Sequence, residues 1–492
     1  MGTRRHFTRA MGARLALAAL GLAIVACGAV FDDPAQCKSD GECARFASAV
    51  CDVAQGVCVA ASSSDGGSRG PPSGGGVVLD GAPSPAEPDA ASDAAVASPC
   101  NNPSKPLARV GAASDGSAST DITQSLVLTC DKDWILTGSV FVRAGATLTI
   151  EKGTTVKGDL ATRGALFVMP GASIVAKGTP ELPIVFTSTQ PPSQRAPADW
   201  RGVFILGKAP PSGTLFGDSR LAWGGADAND ASGALKYVRI EYAALGLQMA
   251  GVGRGTQLDS IEVRKSGDDA FTWLGGTVNG KRLVCQYPGD ECFQFTSGYD
   301  GRMQFLLGQR TPLLGADHNG MLVDASSLTA YNVTLCGADV TNAGYALLPR
   351  NGARLTLVNA ILSGYGAGVD LVGAVGTPFD ARSSIAFGNY GADVAYVEDP
   401  AVLDHGSPLY DDDFGFDELA WWRDPARRNS ESDPRIARCF DPSSPAMKPA
   451  AAIGGEAPPS DGFFDPTASY VGAIGGGSAG WESASWIVWD SR

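Results

Sequence analysis

An all-β fold, a right-handed single-stranded parallel β-helix, is what this sequence predicts, and three observations carry the prediction. Residues 140–150 (VFVRAGATLTI) return as residues 166–176 (LFVMPGASIVA), with Gly145-Ala146 reappearing as Gly171-Ala172 one period later. A second series, residues 235–240 (LKYVRI), returns as residues 258–263 (LDSIEV), and Val284 stands as far beyond Ile261 as Ile261 stands beyond Val238. The composition agrees: 63 glycines, only 18% charged residues and no long amphipathic helical run. Apolar and small or polar residues alternate within each copy and break at Gly, as half-buried strands and their turns do. A strand repeat of this length reads as stacked coils, each touching only its neighbours. An antiparallel sandwich is the rival, but nothing in it accounts for so nearly constant a phase.

Taken in order, residues 1–26 read as a signal peptide. Arg4, Arg5, Arg9 and Arg14 precede a short apolar run that is too short to span a bilayer. It ends at Ala26-Cys27, which resembles a lipobox; Cys27 is then the lipidated first residue and the membrane a partner through its acyl chains, the alternative being an ordinary signal peptide. Gly28, where Asp would signal retention, points to an outer-membrane lipoprotein, surface-exposed or periplasm-facing. Residues 27–59 form a Cys-rich module. Cys37, Cys43, Cys51 and Cys58 are expected as two disulfides in an oxidising compartment, zinc being disfavoured by the absence of C-x2-C pairs. Residues 60–99 are Ser, Gly, Pro, Ala and Asp with almost no large apolar side chain, and read as a disordered linker.

Residues 100–375 are assigned to the β-helix and residues 376–492 to an irregular C-terminal cap region packed on it. Coils stack at about 4.8 Å, so residues one period apart lie above one another. Val238, Ile261 and Val284 are expected to form an interior column. The open ends need covers, for which residues 100–135 and the tryptophans Trp421, Trp422, Trp481, Trp486 and Trp489 are candidates; the same aromatics are alternatively a sugar-binding platform. Cys100 and Cys130 are expected to staple the first coil. Cys285 and Cys292 either close a small loop or remain thiols, and Cys336 with Cys439 would tie the tail to the solenoid.

Several longer motifs then stand out: G-A-x-L-x-I-x-x-G-T-x-V-x-G (145–158), PIVFTS (183–188), DWRGVFILGKAP (199–210), GGADANDASGALKYVRIEYA (224–243), SGDDAFTWLGGTVN (266–279), SGYDGRMQF (297–305) and GFFDPTASYVGAI (462–474). Together they resemble a family of secreted bacterial β-helix lipoproteins over about residues 130–490. The resemblance implies a pectate-lyase-like helix at the cell surface and no established reaction.

Chemistry is confined to one constellation. Asp268-Asp269-Ala270-Phe271 recurs one coil later as Asp290-Glu291-Cys292-Phe293, so stacking places Asp268 over Asp290 and Asp269 over Glu291, with Asp317 a possible extension. Such a column is a set of exposed turn residues, a Ca²⁺ site or a catalytic pair. No cofactor is required by the sequence, Ca²⁺ being the one candidate. The hydrolase reading lacks N-T-D, G-H-G and R-I-K elements, and a lyase would have to recruit Arg264, Lys265 or Arg302. Three histidines, His6, His318 and His405, exclude an imidazole metal cluster or a Ser-His-Asp triad. A net charge of −14 excludes a nucleic-acid partner. The expected function is therefore a non-enzymatic cell-surface lipoprotein that uses its β-helix for adhesion or for binding a glycan or surface protein. The alternatives are a polysaccharide lyase or glycoside hydrolase, and a structural envelope component.

Overall fold

The computed structural model describes residues 49–52, 57–60, 100, 104–111, 119–310, 319–337, 344–373, 379–395, 416–436, 439, 447–476 and 480–489, the first two stretches by their backbone alone. Cys27, Cys37, Cys43, the signal segment, almost all of the linker, Asp317, His318 and His405 lie outside these residues. The chain divides into two compact units, Met1–Ser92 and Asp93–Arg492. In the first, the strands Ala49–Asp52 and Val57–Ala60 pair antiparallel, with Cys51 opposite Cys58.

The second unit is a right-handed parallel β-helix, and its coils follow the sequence repeats. Ser139–Val142 pairs in parallel with Ala165–Val168, which pairs with Gly202–Leu206, so Val140, Leu166 and Val203 stack in the interior. Ten strands, from Ser119–Ile122 to Ala367–Val369, build one sheet this way. A second sheet of 15 strands closes the other sides. In the early coils it has two separate runs, one through Thr147–Ile150 and Ser173–Lys177, the other through Thr155–Gly158 and Ile184–Ser188. Both runs join the single bent strand Gly233–Glu241.

The bend is one residue, Tyr237, at φ 50°. It is skipped by the ladder, since Lys236 pairs with Asp259 and Val238 with Ile261 on either side of it. Ser260, Arg282, Phe305, Asn332 and Asn359 occupy the same corner in the following coils, all at positive φ. A single left-handed residue turns the strand onto a new face without an inserted loop; Asn does this at least cost, and Tyr, Arg and Phe only where packing imposes it.

Register corrects the expected column in one place. Ile261 pairs with Leu283, whereas Val284 pairs with Glu262. Leu283 continues the interior column of Val238 and Ile261, and Val284 points outward. Val284 is nonetheless buried, because the C-terminal segment covers that outer face.

The first coil falls within the residues assigned to the β-helix, and only the role of an end cover fails there. Residues 100–135 supply a coil rather than a cap: Leu107–Val110, Ser119–Ile122, Leu126–Leu128 and Asp133–Leu136 all enter parallel ladders, and Cys100 is bonded to Cys130. At the other end the ladder runs past residue 375, with Phe379–Arg382 and Ile385–Ala386 paired to Arg354–Ser363. A short helix, Glu418–Trp422, then closes the core. Asp417 caps it by accepting from the Ala420 N–H at 2.7 Å. Trp422 joins the core cluster and Trp421 stacks on Phe379 at 4.4 Å.

Trp481, Trp486 and Trp489 are not at the end. They pack with Val284, Leu307 and Cys336 on the outer face of the bent strands, where Cys336 is bonded to Cys439. The segment is held there by the corner and outward residues of successive coils. Asn332 Nδ2 donates to the carbonyls of Ala468 and Tyr470, and Asn359 Nδ2 to that of Glu456. Gln286 Nε2 donates to the Val488 carbonyl, and the Val488 N–H donates to the Glu262 carboxyl at 3.1 Å.

Candidate functional site

The acidic motif lies in the turns that lead from the bent strands into the ten-stranded sheet. Lys265 and Tyr287, both left-handed at φ 53° and 55°, turn the chain out of Gln257–Arg264 and Gly280–Gln286 at equivalent points. Beyond these turns, Phe271 and Phe293 enter the core one above the other, ring centroids 5.5 Å apart and 19° from parallel. These fixed points on either side leave the intervening turns no freedom of register. A Cβ on Gly289 would sit 2.0 Å from the Gly267 carbonyl oxygen, so the two turns stack only because Gly is there. The disulfide between Cys285 and Cys292 closes the second turn.

Stacking therefore places Asp268 over Asp290 and Asp269 over Glu291. One oxygen from each of Asp268, Asp269 and Asp290 lies within 4.8 Å of the others. Solvent reaches the cluster from the Asp268 side, where Asp268 is exposed and Asp290 half-buried; Asp269 and Glu291 are 5% and 4% exposed.

The buried pair belongs to a hydrogen-bond ladder that runs from coil to coil. Gln248 Nε2 donates to the Thr272 hydroxyl at 2.7 Å, and that hydroxyl donates to Asp269 Oδ2 at 2.9 Å. Asp269 Oδ1 accepts from the Glu291 N–H at 3.1 Å. Glu291 Oε1 accepts from Asn319 Nδ2 at 2.9 Å, and Asn319 Oδ1 from the Tyr345 N–H at 2.9 Å. Burial, then the charges of Glu291 and Asp268, push the Asp269 carboxyl well above the usual range. Burial, then the Asp290 charge, raises Glu291 to about 7. Both shifts favour the protonated form, and a proton held by this pair removes one negative charge from a site where two would repel.

The sequence did not single out Arg310, which follows the apolar strand Asp300–Gln309 and is 2% exposed. Its guanidinium lies 5.9 Å from the Tyr365 ring, and burial lowers its pKa against the partial relief of Tyr365, then Glu291 and Asp290. Arg264 and Arg302, recruited by the lyase reading, are engaged elsewhere. Arg264 is 4% exposed and 3.7 Å from Glu241, and Arg302 is paired with Asp461 and lies over Phe463.

A hydrolytic carboxylate pair stands about 5–9.5 Å apart across a bond that enters from solvent. Asp269 and Glu291 instead lie on successive coils, closed off from solvent and bound into the ladder. The water-facing members, Asp268 and Asp290, offer oxygens, which suits a hard cation or a hydroxyl-bearing partner.

The sequence model of a family described as a pectate-lyase like beta helix domain matches residues 120–392, the stretch that contains every coil of this site. No curated protein matches the chain, and no solved structure does.

Proposed function

The chain belongs to the pectate-lyase-like β-helix family, and from that premise we propose that it is a non-enzymatic binding protein of the cell envelope, carried on the outer membrane through a lipidated Cys27, whose β-helix docks a glycan. One observation carries the reading. Of the hydrolase-like pair Asp268-Asp269, Asp269 is buried and its oxygens are taken up by the coil-to-coil ladder, as are those of Glu291 beside it. What stays open to solvent is a recognition surface, not a reaction centre. The full chain is expected to retain polysaccharides on a glycan array while releasing neither reducing ends nor unsaturated uronates. Turnover of pectin, alginate or another glycan that disappears in Asp269→Asn would reverse the ranking in favour of the lyase or hydrolase.

Ca²⁺ on Asp268, Asp269 and Asp290 is part of the same proposal, supported by their convergence and by the burial and neighbouring carboxylate charges that raise Asp269. A cation competes with protons for these carboxyls, so it binds better as pH rises. At a hundredfold excess over Kd a ligand adds about 2.7 kcal/mol to stability. Millimolar Ca²⁺ is therefore expected to raise Tm at pH 8 by a few degrees over EDTA, and by less at pH 5. Identical melting curves at pH 8 would remove the cation.

A further inference from the structure

A second concave site lies about the last coil, remote in sequence from the acidic turns. Three pieces of chain enclose it. The coil residues Ser383, Ser384 and Ile385 form one wall. Residues 428–433 form the second; they lie beside the last coil, with the Ser430 N–H donating to the Ser384 carbonyl at 2.9 Å and the Ala386 N–H to the Ser430 carbonyl at 3.1 Å. The third is the pair of C-terminal stretches at Ile453–Gly455 and Val471, joined by the Val471 N–H donating to the Ile453 carbonyl at 2.9 Å. The cavity has a volume of about 370 Å³, within the ~300–1,000 Å³ span of small-molecule sites.

Its lining has two kinds of surface. Ile385 and Val471 pack in one apolar cluster with Ile453 against them, and all three contribute to the cavity. Four serine hydroxyls, Arg428 and Asp433 make the remainder. The Ser384 hydroxyl donates to the Arg382 carbonyl and the Ser430 hydroxyl accepts from the Ser432 N–H, while Ser383 stands in the same wall of the cleft. Backbone strain converges on the same place: Ser383 and Arg428, neither of them Gly, are both left-handed at φ 48° and 58°.

We propose that this cleft is a saccharide-binding subsite that takes one ring of a neutral sugar chain. A pyranose presents a C–H face and a rim of hydroxyls, each both donor and acceptor. The isoleucine and valine floor meets the first, and the serines with Asp433 meet the second. Neutrality follows from the charges: Arg428 is already paired with Glu456, which Arg382 also holds at 3.0 Å, and Asp433 adds a negative charge that opposes a uronate. The assignment deepens the glycan-binding reading and rests on it.

Gly454 provides the test. Gly454 lines the cleft, a Cβ there meets nothing within 4 Å and its φ is ordinary, so Gly454→Trp sets a bulky ring at the cleft wall without a backbone clash. Ser383→Gly removes one lining hydroxyl while suiting the left-handed position. With the full chain, saturation-transfer NMR and calorimetry against neutral hexose and N-acetylhexosamine di- to tetrasaccharides, with oligogalacturonate as the acidic comparison, should show binding of a neutral oligosaccharide. Gly454→Trp should weaken it at least tenfold and Ser383→Gly severalfold, with melting temperatures unchanged. Undiminished binding by Gly454→Trp would overturn the subsite and leave glycan binding elsewhere on the helix. Wild-type chain that binds only oligogalacturonate would overturn the neutral assignment, and wild-type chain that binds no glycan would overturn both readings.

Discussion

Trp273→Ala is expected to cost about 3–5 kcal/mol of folding stability, the size of effect reserved for large aromatic truncations in tight cores. Trp273 is fully buried in the ten-stranded sheet and stacks on Phe295 at 4.3 Å and 9°. Phe271 lies 5.9 Å away in the same strand and Tyr299 6.1 Å away, so one ring supports a neighbour in its own coil and two, Phe295 and Tyr299, in the next. In a solenoid each coil is stabilised through its neighbours. The cavity left by the indole therefore weakens two interfaces at once, the one with Met249 below and the one with Phe295 above. Trp273→Phe should be much milder, within about 1.5 kcal/mol. The buried indole N–H has no acceptor among the described residues, and removing an unsatisfied donor returns about 1–3 kcal/mol against the volume lost. Urea unfolding of the two variants separates the cases. A Trp273→Ala cost under about 1 kcal/mol would contradict the stacked interior.

The coils were legible in the sequence because inward positions repeat. Phe271 and Phe293, which close the two acidic motifs at matching positions, sufficed to place Asp269 over Glu291, and the ladder bonds obey that offset. The misassignment of Val284 has a specific physical origin. Leu283 and Val284 are both apolar, and both are buried, one by the interior and the other by the C-terminal segment that covers the outer face. Apolar character reports burial but not which side of the sheet is buried, and the covering chain, with Ile474 and Trp486, lies far along the sequence from the strand it covers. The same cover explains why three late tryptophans read as an end cap. Of the corner column, only Asn332 and Asn359 carried a local signal, since Asn tolerates left-handed backbone; Tyr237, Arg282 and Phe305 are held there by the ladders on both sides. Arg310 was hidden for a related reason, a cation at the end of an apolar strand that packing, and not local pattern, draws toward Glu291.

Stability is expected to fall as pH rises from about 4.5 to 8, and Glu262 is the main reason. The C-terminal segment buries it completely. Burial pushes its carboxyl up to about 8, against the partial relief of Arg239, Arg264 and the Val488 N–H, with Glu241 adding to the rise. The unfolded chain releases this proton near pH 4.5, while the folded chain keeps it to about 8. Between those values the native state binds the extra proton, so each pH unit removes stability, at most about 1.4 kcal/mol per unit, and the loss is complete above 8. Glu291, raised to about 7, and Asp269 act in the same direction over an overlapping window. Melting temperature should therefore be several degrees higher at pH 5 than at pH 8.5. Glu262→Gln separates the contributions: the amide keeps the shape and an acceptor for the Val488 N–H but carries no proton to lose. The variant should melt lower than wild type at pH 5, where a neutral carboxylic acid already fits, and close the gap or overtake it at pH 8.5. A wild-type Tm that is flat or rising across this range, or a Glu262→Gln profile parallel to wild type, would mean that the C-terminal segment does not seal this carboxyl from water.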